Sequence, residues 1–464
     1  MVTNGSRYAA PVRRLIQAVT GTVGNWAHNE RWTPAMFAAP TSTGQVAELV
    51  ARAAASGERV KAVGGGHSFT AAAATTGTQL TLDAMTDVVA VDGAARRVTV
   101  QAGIRLHELN DRLTAMGLAL PNLGDIDRQS IAGAIATATH GTGRALGNLA
   151  TNVVGMTLVD GRGAVVRCSS EEHPDVLAVA RVGIGAVGVV TEVTLQCVPA
   201  FNLHARETIE PIDDVLANFD RASGEVDHFE FYWMPGTRRC QVKRNRRTDE
   251  PVRPGGRLAY VREKWMAENV GFGLVCRTGR ALPTLAPRIA RLVASSATER
   301  DVIDRSDRIF CSPRHVRFVE MEYAVPAEAV PEAVQRVRRL TDRMATRPLF
   351  PIEVRVSAAD DIALSTASGR TSGWIAVHQY RGVPYLEYFQ GVEAIMDDYQ
   401  GRPHWGKLHF QRAETLAERY PRWDEFAAVR ARLDPDGTFR NDYLDRVLGW
   451  PGTLAPPGAS AAAS

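Results

Sequence analysis

The chain has 464 residues, with 54 Lys and Arg against 51 Asp and Glu, a formal net charge of +3. With 23% charged and 45% hydrophobic residues it has the composition of a folded globular protein, which excludes a disordered chain. Its length predicts two or three domains with sizeable cores, and its near-neutral balance gives no general pull toward nucleic acid or an acidic membrane surface.

Five scattered cysteines, Cys168, Cys197, Cys240, Cys276 and Cys311, exclude CxxC redox pairs, paired-cysteine zinc sites and a disulfide framework. They point to idle thiols in a reducing, cytoplasmic setting. No apolar stretch approaches the roughly 20 residues that span a bilayer. The N-terminal segment carries Arg13 and Arg14 but no apolar core or small-residue cleavage site, so it does not read as a secretory signal. Pro451 to Ser464, uncharged and rich in Pro, Gly, Ala and Ser, reads as a frayed tail.

Thr43 to Ser56 is predicted as an Ala-rich helix, because Val46, Leu49, Val50 and Ala53 recur at helical spacing before Gly57. A short strand, Arg59 to Val63, leads into Gly64-Gly65-Gly66-His67-Ser68. Strand-like runs follow at Gln79 to Leu82, Val88 to Val91 and Val98 to Gln101. Leu106 to Met116 is an amphipathic helix stopped by Gly117. Val153 to Val159 and Ala164 to Arg167 flank Asp160-Gly161-Arg162-Gly163, a hairpin signal, and Val187 to Val198 is rich in β-branched residues.

The pattern changes after about Pro199. His228 to Trp233 alternates, Val316 to Val325 is rich in strand formers, and Pro326 to Met344 reads as a helix with Pro326 near its first turn. Ile352 to Val356 and Trp374 to Tyr380 are further strands, and helices are expected between Ala413 and Leu433. The predicted organisation is α+β: an N-terminal unit to residue 200, a second unit over 201–412 built on an antiparallel sheet, and a C-terminal segment, 413–464, that returns to the first.

Two glycine-rich segments carry chemistry. In Gly64-Gly65-Gly66-His67-Ser68-Phe69, successive glycines allow positive φ and bring backbone N–H groups close to an anion such as a pyrophosphate. A flexible turn explains a lone glycine triplet equally well, and the segment is not the GxGxxG of a Rossmann fold. In Asn122-Leu123-Gly124-Asp125, Ser130-Ile131-Ala132-Gly133 and Thr137-Ala138-Thr139-His140-Gly141-Thr142-Gly143, small and hydroxyl residues dominate. That suits a backbone packed against a flat ligand, whereas a surface loop is disfavoured by the intervening Ile126, Ile131 and Ile135.

With these segments the chain resembles the vanillyl-alcohol oxidase superfamily of flavoproteins, in its sugar-1,4-lactone oxidase and alditol oxidase group. The match runs from Asn25-Trp26 through the glycine triplet to Val198. It resumes in Glu353-Val354-Arg355, His404-Trp405-Gly406-Lys407 and Asp434-Pro435-Asp436-Gly437, with Phe439, Asn441 and Leu444. The resemblance implies a two-domain FAD-binding fold with an antiparallel substrate domain, and FAD attached covalently through His67. It implies cofactor contacts from Gly64, Gly65, Gly66, His67, Ser68, Phe69, Gly124, Asp125, Ser130, Gly133, Thr137, Ala138, Thr139, His140, Val189, Val190 and His404. The implied catalytic set is Glu353, Arg355 and Lys407, with Asp125, His378 and Tyr380 beside them at the substrate.

The residues make chemical sense of this. Oxidising an alcohol requires a group to hold the hydroxyl, one to take its proton and charge to stabilise the reduced acceptor. Strand alternation puts Glu353 and Arg355 on one face, and Trp374, Ala376, His378 and Tyr380 on one face of their own strand. Without the family match, Glu353 and Arg355 read more readily as a structural surface ion pair than as a catalytic pair. The expected substrate is an aldono-1,4-lactone oxidised at the hydroxyl beside its carbonyl, with an open-chain polyol as the alternative. Asp125, where alditol oxidases carry a serine, counts against the polyol. The ungapped match also puts Gly124 at a position where, in the lactone branch, glycine favours oxidases and alanine dehydrogenases, which implies oxygen as acceptor and hydrogen peroxide as product.

Other patterns point elsewhere or nowhere. Arg238, Arg239, Lys243, Arg244, Arg246 and Arg247 form a basic run with no aromatic residue to stack on bases, so a solvated loop is expected rather than a nucleic-acid site. A colourless nucleic-acid binder is the competing reading. The spacing of His404 and His409, and the lack of HExxH, give no metal site, and no GxSxG elbow or Walker loop occurs.

Overall fold

The computed structural model describes residues 21–253, 272–281, 299–312, 316–345 and 347–450. The N-terminal segment with Arg13 and Arg14 and the tail from Pro451 lie outside the described residues.

A small parallel sheet opens the fold, with strands β1 (Met36–Ala38), β2 (Val60–Val63) and β3 (Thr78–Thr81) in the order β1-β3-β2. Helix α1 (Thr43–Ala55) joins β1 to β2. Ser42 starts it by accepting a hydrogen bond from the Gln45 N–H, and Val46, Val50 and Ala53 form its buried stripe. Next comes a five-stranded antiparallel sheet of β4 (Val88–Asp92), β5 (Arg97–Gln101), β6 (Val153–Val159), β7 (Val165–Ser169) and β8 (Val189–Gln196). Its order is β7-β6-β8-β5-β4. Gly163, at φ +87°, turns the β6–β7 hairpin. Burial alternates strictly along β8, so one face goes to a core shared with α2 (Leu106–Ala115) and α3 (Ile131–Ala136).

The second half is an eight-stranded antiparallel sheet. Its strands are β9 (Asn202–Pro211), β10 (His228–Trp233), β11 (Arg239–Thr248), β12 (Arg300–Arg305), β13 (Phe318–Pro326), β14 (Ile352–Ser357), β15 (Ser372–Tyr380) and β16 (Arg402–Pro403). They lie in the order β12-β9-β11-β10-β14-β15-β13-β16. One face is apolar: Phe229, Phe231, Ile352, Val354, Ile375, Val377, Met321 and Tyr323 pack against α4 (Val330–Arg343) and α5 (Leu386–Asp397). The last helices, α6 (Ala413–Arg419), α7 (Trp423–Leu433) and α8 (Asp442–Leu448), bury Leu416, Phe426, Leu433 and Leu444 in the same core as α2 and the five-stranded sheet.

Two local expectations are corrected. Pro326 both ends strand β13 and caps a short 3-10 turn, Ala327–Ala329, that leads into α4, where Pro331 takes the first turn. Both positions tolerate a residue that donates no backbone hydrogen bond. The basic run is a strand, not a solvated loop: Arg239–Thr248 pairs along its length with β9 and along much of it with β10. Cross-strand acids compensate its charge. Arg244 Nη2 lies 3.1 Å from Glu210 Oε2, and Lys243 Nζ lies 3.2 Å from Glu230 Oε1.

Candidate active site

The other face of the eight-stranded sheet is polar, and its register builds the site. Lys243 stands opposite Glu230, Tyr232 opposite Glu353, and Glu353 opposite Ala376, which faces Glu322 on its far side. Arg355 stands opposite Trp374, and His378 opposite Glu320. Because side chains alternate, this one face gathers four carboxylates and two cations while the opposite face is core.

Arg355 is the hub of the first group. Its Nε donates to Glu230 Oε2 at 2.8 Å, and its Nη2 donates to Asp125 and forms an ion pair with Glu353. The Tyr232 hydroxyl lies 2.9 Å from Glu353 Oε1, 3.3 Å from Asp125 Oδ2 and 3.4 Å from Glu230 Oε1. Asp125 arrives on the glycine-rich loop, which is pinned from outside by the Ser312 N–H bonded to the Asp125 carbonyl at 2.9 Å. The environments separate the carboxyls. Burial pushes Glu353 up to about 7, with Asp125 and Glu230 adding to the rise against the pull of Arg355. Glu230 is equally buried, yet the charges of Lys243 and Arg355 hold it below the usual carboxylate range. One acid is thus poised near neutrality beside a permanently charged neighbour.

Lys407 and Glu320 form the second group. Lys407 Nζ pairs with Glu320, and His378 Nε2 lies 3.4 Å from the other Glu320 oxygen. Despite burial, the charges of Lys407 and His378 hold Glu320 down at about 2. The loop carrying Lys407 is seated on β13 by backbone bonds from the His404 N–H to the Glu322 carbonyl and from the Leu408 N–H to the Glu320 carbonyl, both 2.9 Å. Next to it, His140 Nε2 lies 3.2 Å from Glu322 Oε1, and its ring stacks on Trp374 with centroids 3.6 Å apart. His140, Glu322 and His404 each present one atom within 4.8 Å of the others, a proximity hidden by their separation in sequence. His404 Nδ1 accepts from the Gly406 N–H at 3.0 Å, so its proton sits on Nε2 and that nitrogen offers no lone pair.

The glycine-rich segments close over this face. The Gly143 N–H donates to the Val356 carbonyl at 2.8 Å, tying the Thr137–Gly143 segment to β14. Ala138 within it takes a left-handed backbone, φ +58°, although fully buried. The glycine triplet loop meets the Lys407 loop directly, through the Phe69 N–H to the Gly406 carbonyl at 2.7 Å. Asn25 and Asn29 hold its far side by donating to the Ser68 and Phe69 carbonyls at 2.9 and 2.8 Å. A side chain on Gly64 would collide with Ser130 Oγ, and one on Gly65 would come within 2.7 Å of the Arg128 carbonyl. Near the triplet, Arg105 Nη1 and Gln129 Oε1 are buried without hydrogen-bond partners among the described residues. A backbone cradle that admits only glycine, with unanswered polar atoms beside it, fits the diphosphate and flat ring of FAD.

Not every expected residue joins this group. Among the described residues, Tyr380 contacts the Arg280 guanidinium at 5.6 Å and the apolar cluster of Cys276, Leu349 and Phe350. Val189 is buried in the core beside Phe439, and Val190 packs against two core clusters from β8. Gly124 does not adopt positive φ; an added Cβ there would lie 3.0 Å from the His140 carbonyl, so close approach and not backbone conformation favours glycine. Glu230, Tyr232, Lys243, Glu320 and Glu322 were missed. Their signal was present, since Glu230-x-Tyr232 and Glu320-x-Glu322 are the polar members of alternating strands.

A model of the D-arabinono-1,4-lactone oxidase family matches residues 193–447, and a model of the FAD-binding domain matches residues 34–169. L-gulono-1,4-lactone dehydrogenase of Mycobacterium tuberculosis is 47% identical over 426 residues, covering 92% of this chain and 98% of its own. L-gulonolactone oxidase of Mus musculus is 34% identical, covering 91% and 97%, and alditol oxidase of a Streptomyces species is 33% identical, covering 92% and 99%. The crystal structure of cholesterol oxidase from B. sterolicum superposes with a TM-score of 0.78 at 18% identity, over 92% of this chain and 96% of that one. Fold and site together define an FAD-dependent oxidoreductase of the vanillyl-alcohol oxidase superfamily. Within it, the chain belongs to the D-arabinono-1,4-lactone oxidase family.

Proposed function

We propose that the protein oxidises an aldono-1,4-lactone at the hydroxyl beside its carbonyl, with FAD attached covalently through His67. In this reading residues to 200 and the segment from 413 hold FAD, while 201–412 supply the substrate face. The observation that carries it is the Arg355 group: a guanidinium that fixes Glu353 and Asp125 side by side, with Tyr232 bridging them. FAD, held by the glycine triplet loop and the Thr137–Gly143 segment, would supply the hydride acceptor for the carbinol carbon. Arg355 and Asp125 hold the hydroxyl, and Glu353, poised at about 7, takes its proton. Lys407 supplies positive charge where negative charge accumulates. Oxygen is the proposed acceptor, yielding hydrogen peroxide, and the five scattered cysteines support a reducing, cytoplasmic setting.

Two relatives keep second readings alive. The 47% identical relative is named a dehydrogenase, which favours a non-oxygen acceptor, and the alditol oxidase favours a polyol. Anaerobic mixing with lactones and with polyols decides the substrate by which class bleaches the flavin. Admitting oxygen then decides the acceptor: fast recovery of the yellow colour with peroxide supports the oxidase, and slow recovery sinks it.

A further inference from the structure

We propose that Glu230 is a positioning residue for this reaction, anchoring Arg355 through Nε so that Nη2 is shared between Asp125 and Glu353. The proposal rests on the reading of Glu353 as the proton acceptor. A guanidinium is a planar fork, so holding Nε at 2.8 Å sets the plane in which both terminal nitrogens lie. Nη2 donates to Asp125 in this plane and pairs by charge with Glu353. Glu230 is itself kept charged by Lys243, 3.2 Å away on the neighbouring strand, whose ammonium also lies 4.6 Å from the Tyr232 ring centre.

The arrangement has an electrostatic consequence. Glu353 faces Arg355 on its own strand, Glu230 and Tyr232 on β10, Asp125 on the glycine-rich loop, His378 on β15 and Lys407 on the loop after β16. Glu230 is a negative charge in that ring, and it works with burial to keep a proton on Glu353. An ion pair that merely glued strands together would hold Arg355 without tuning its neighbour. Removing the charge while keeping the shape separates the two roles.

The test is single-turnover flavin reduction across pH in the intact holoenzyme, using a lactone that reduces the wild type. The wild type should show an acid limb, which Glu353→Gln should remove. Glu230→Gln should move that limb down by roughly one pH unit, because a like charge has been lost. Its limiting reduction rate should also fall roughly tenfold and substrate binding should weaken with it, because a neutral amide still accepts from Nε but holds Arg355, which also carries the substrate hydroxyl, less firmly. Lys243→Met, which leaves Glu230 less neutralised, should move the limb the other way, and serves as the second variant if Glu230→Gln does not fold. A limb and a limiting rate both unmoved in Glu230→Gln overturn the proposal. A limb that survives Glu353→Gln overturns the proton-acceptor reading instead, and the limiting rate of Glu230→Gln then decides the positioning role alone.

Discussion

The indole of Trp26 stacks on the imidazole of His67, with ring centroids 6.0 Å apart and planes 24° from parallel. The Trp26 backbone N–H also donates to the Gly66 carbonyl at 2.6 Å, so the residue covers the histidine while bracing the loop that carries it. A histidine held this way has one face closed, and its ring nitrogens must act at the edge. If flavin is attached there, acid precipitation leaves yellow colour in the pellet, and His67→Ala releases it to the supernatant. Flavin that washes out of the acid-treated wild type refutes the attachment.

Glu353 sets the second expectation. It must be deprotonated to accept the hydroxyl proton, so the rate of flavin reduction should rise with pH through about 7 and then level off. Glu353→Gln should slow reduction by roughly 10²–10⁴-fold, the usual worth of a positioned base. A flat profile in the wild type between pH 5.5 and 8.5, about 1.5 units either side of that value, removes Glu353 from the role.

Lys407 sits on a rigid loop with its charge partnered by Glu320 and 5.3 Å from the Phe69 ring centre. Lys407→Met should slow flavin reduction by roughly 10²–10³-fold, as loss of a preorganised charge does, while leaving bound flavin in place. The ultraviolet–visible spectrum checks retention, and stopped-flow checks the rate. Unchanged reduction would show that the cation is structural.

Glu320 links the same pair to acid stability. Its folded value of about 2 lies below the ordinary 4.5, so the contribution is present above 4.5 and is lost as pH falls toward 2. Glu320→Gln should therefore lower the melting temperature at pH 7, and the gap to wild type should close on acidification. Melting curves from pH 7 to 3 measure it. A gap that stays constant would mean the loss is one of packing.

Gly124 is pressed against the carbonyl of His140, and Cys311 Sγ lies 3.4 Å from the Gly124 carbonyl. Gly124→Ala must displace the His140 segment by a few tenths of an ångström, at a modest stability cost. If this glycine leaves oxygen a passage, the variant should reoxidise much more slowly while being reduced at near the wild-type rate. Equal slowing of both half-reactions would trace the effect to His140 and not to a gate.

Much of the architecture was legible along the chain because its signals are local. The stripe of Val46, Val50 and Ala53, the Asp160 to Gly163 turn and the alternation from Ile352 to Val356 each report a structure formed within a few residues. The glycine triplet was legible for the same reason, since backbone that must approach something closely excludes side chains wherever it occurs. The basic run failed that test. Charge density reads as loop, and only pairing with Glu210 and Glu230 from other strands makes Arg239–Thr248 a strand.

The site divides along the same line. The sequence by itself determined that Glu353 and Arg355 share a face, because strand geometry repeats every second residue. Which other groups join them depended on strand order and register, which are set by contacts between residues far apart in sequence. Tyr232 meets Glu353 across 121 positions, and Asp125 meets Arg355 across 230. Glu320 and Glu322, read from the chain, are two acids in an apolar strand. Only the folded sheet, by bringing Lys407, His378 and His140 within reach, turns those buried charges from a cost into a charged centre.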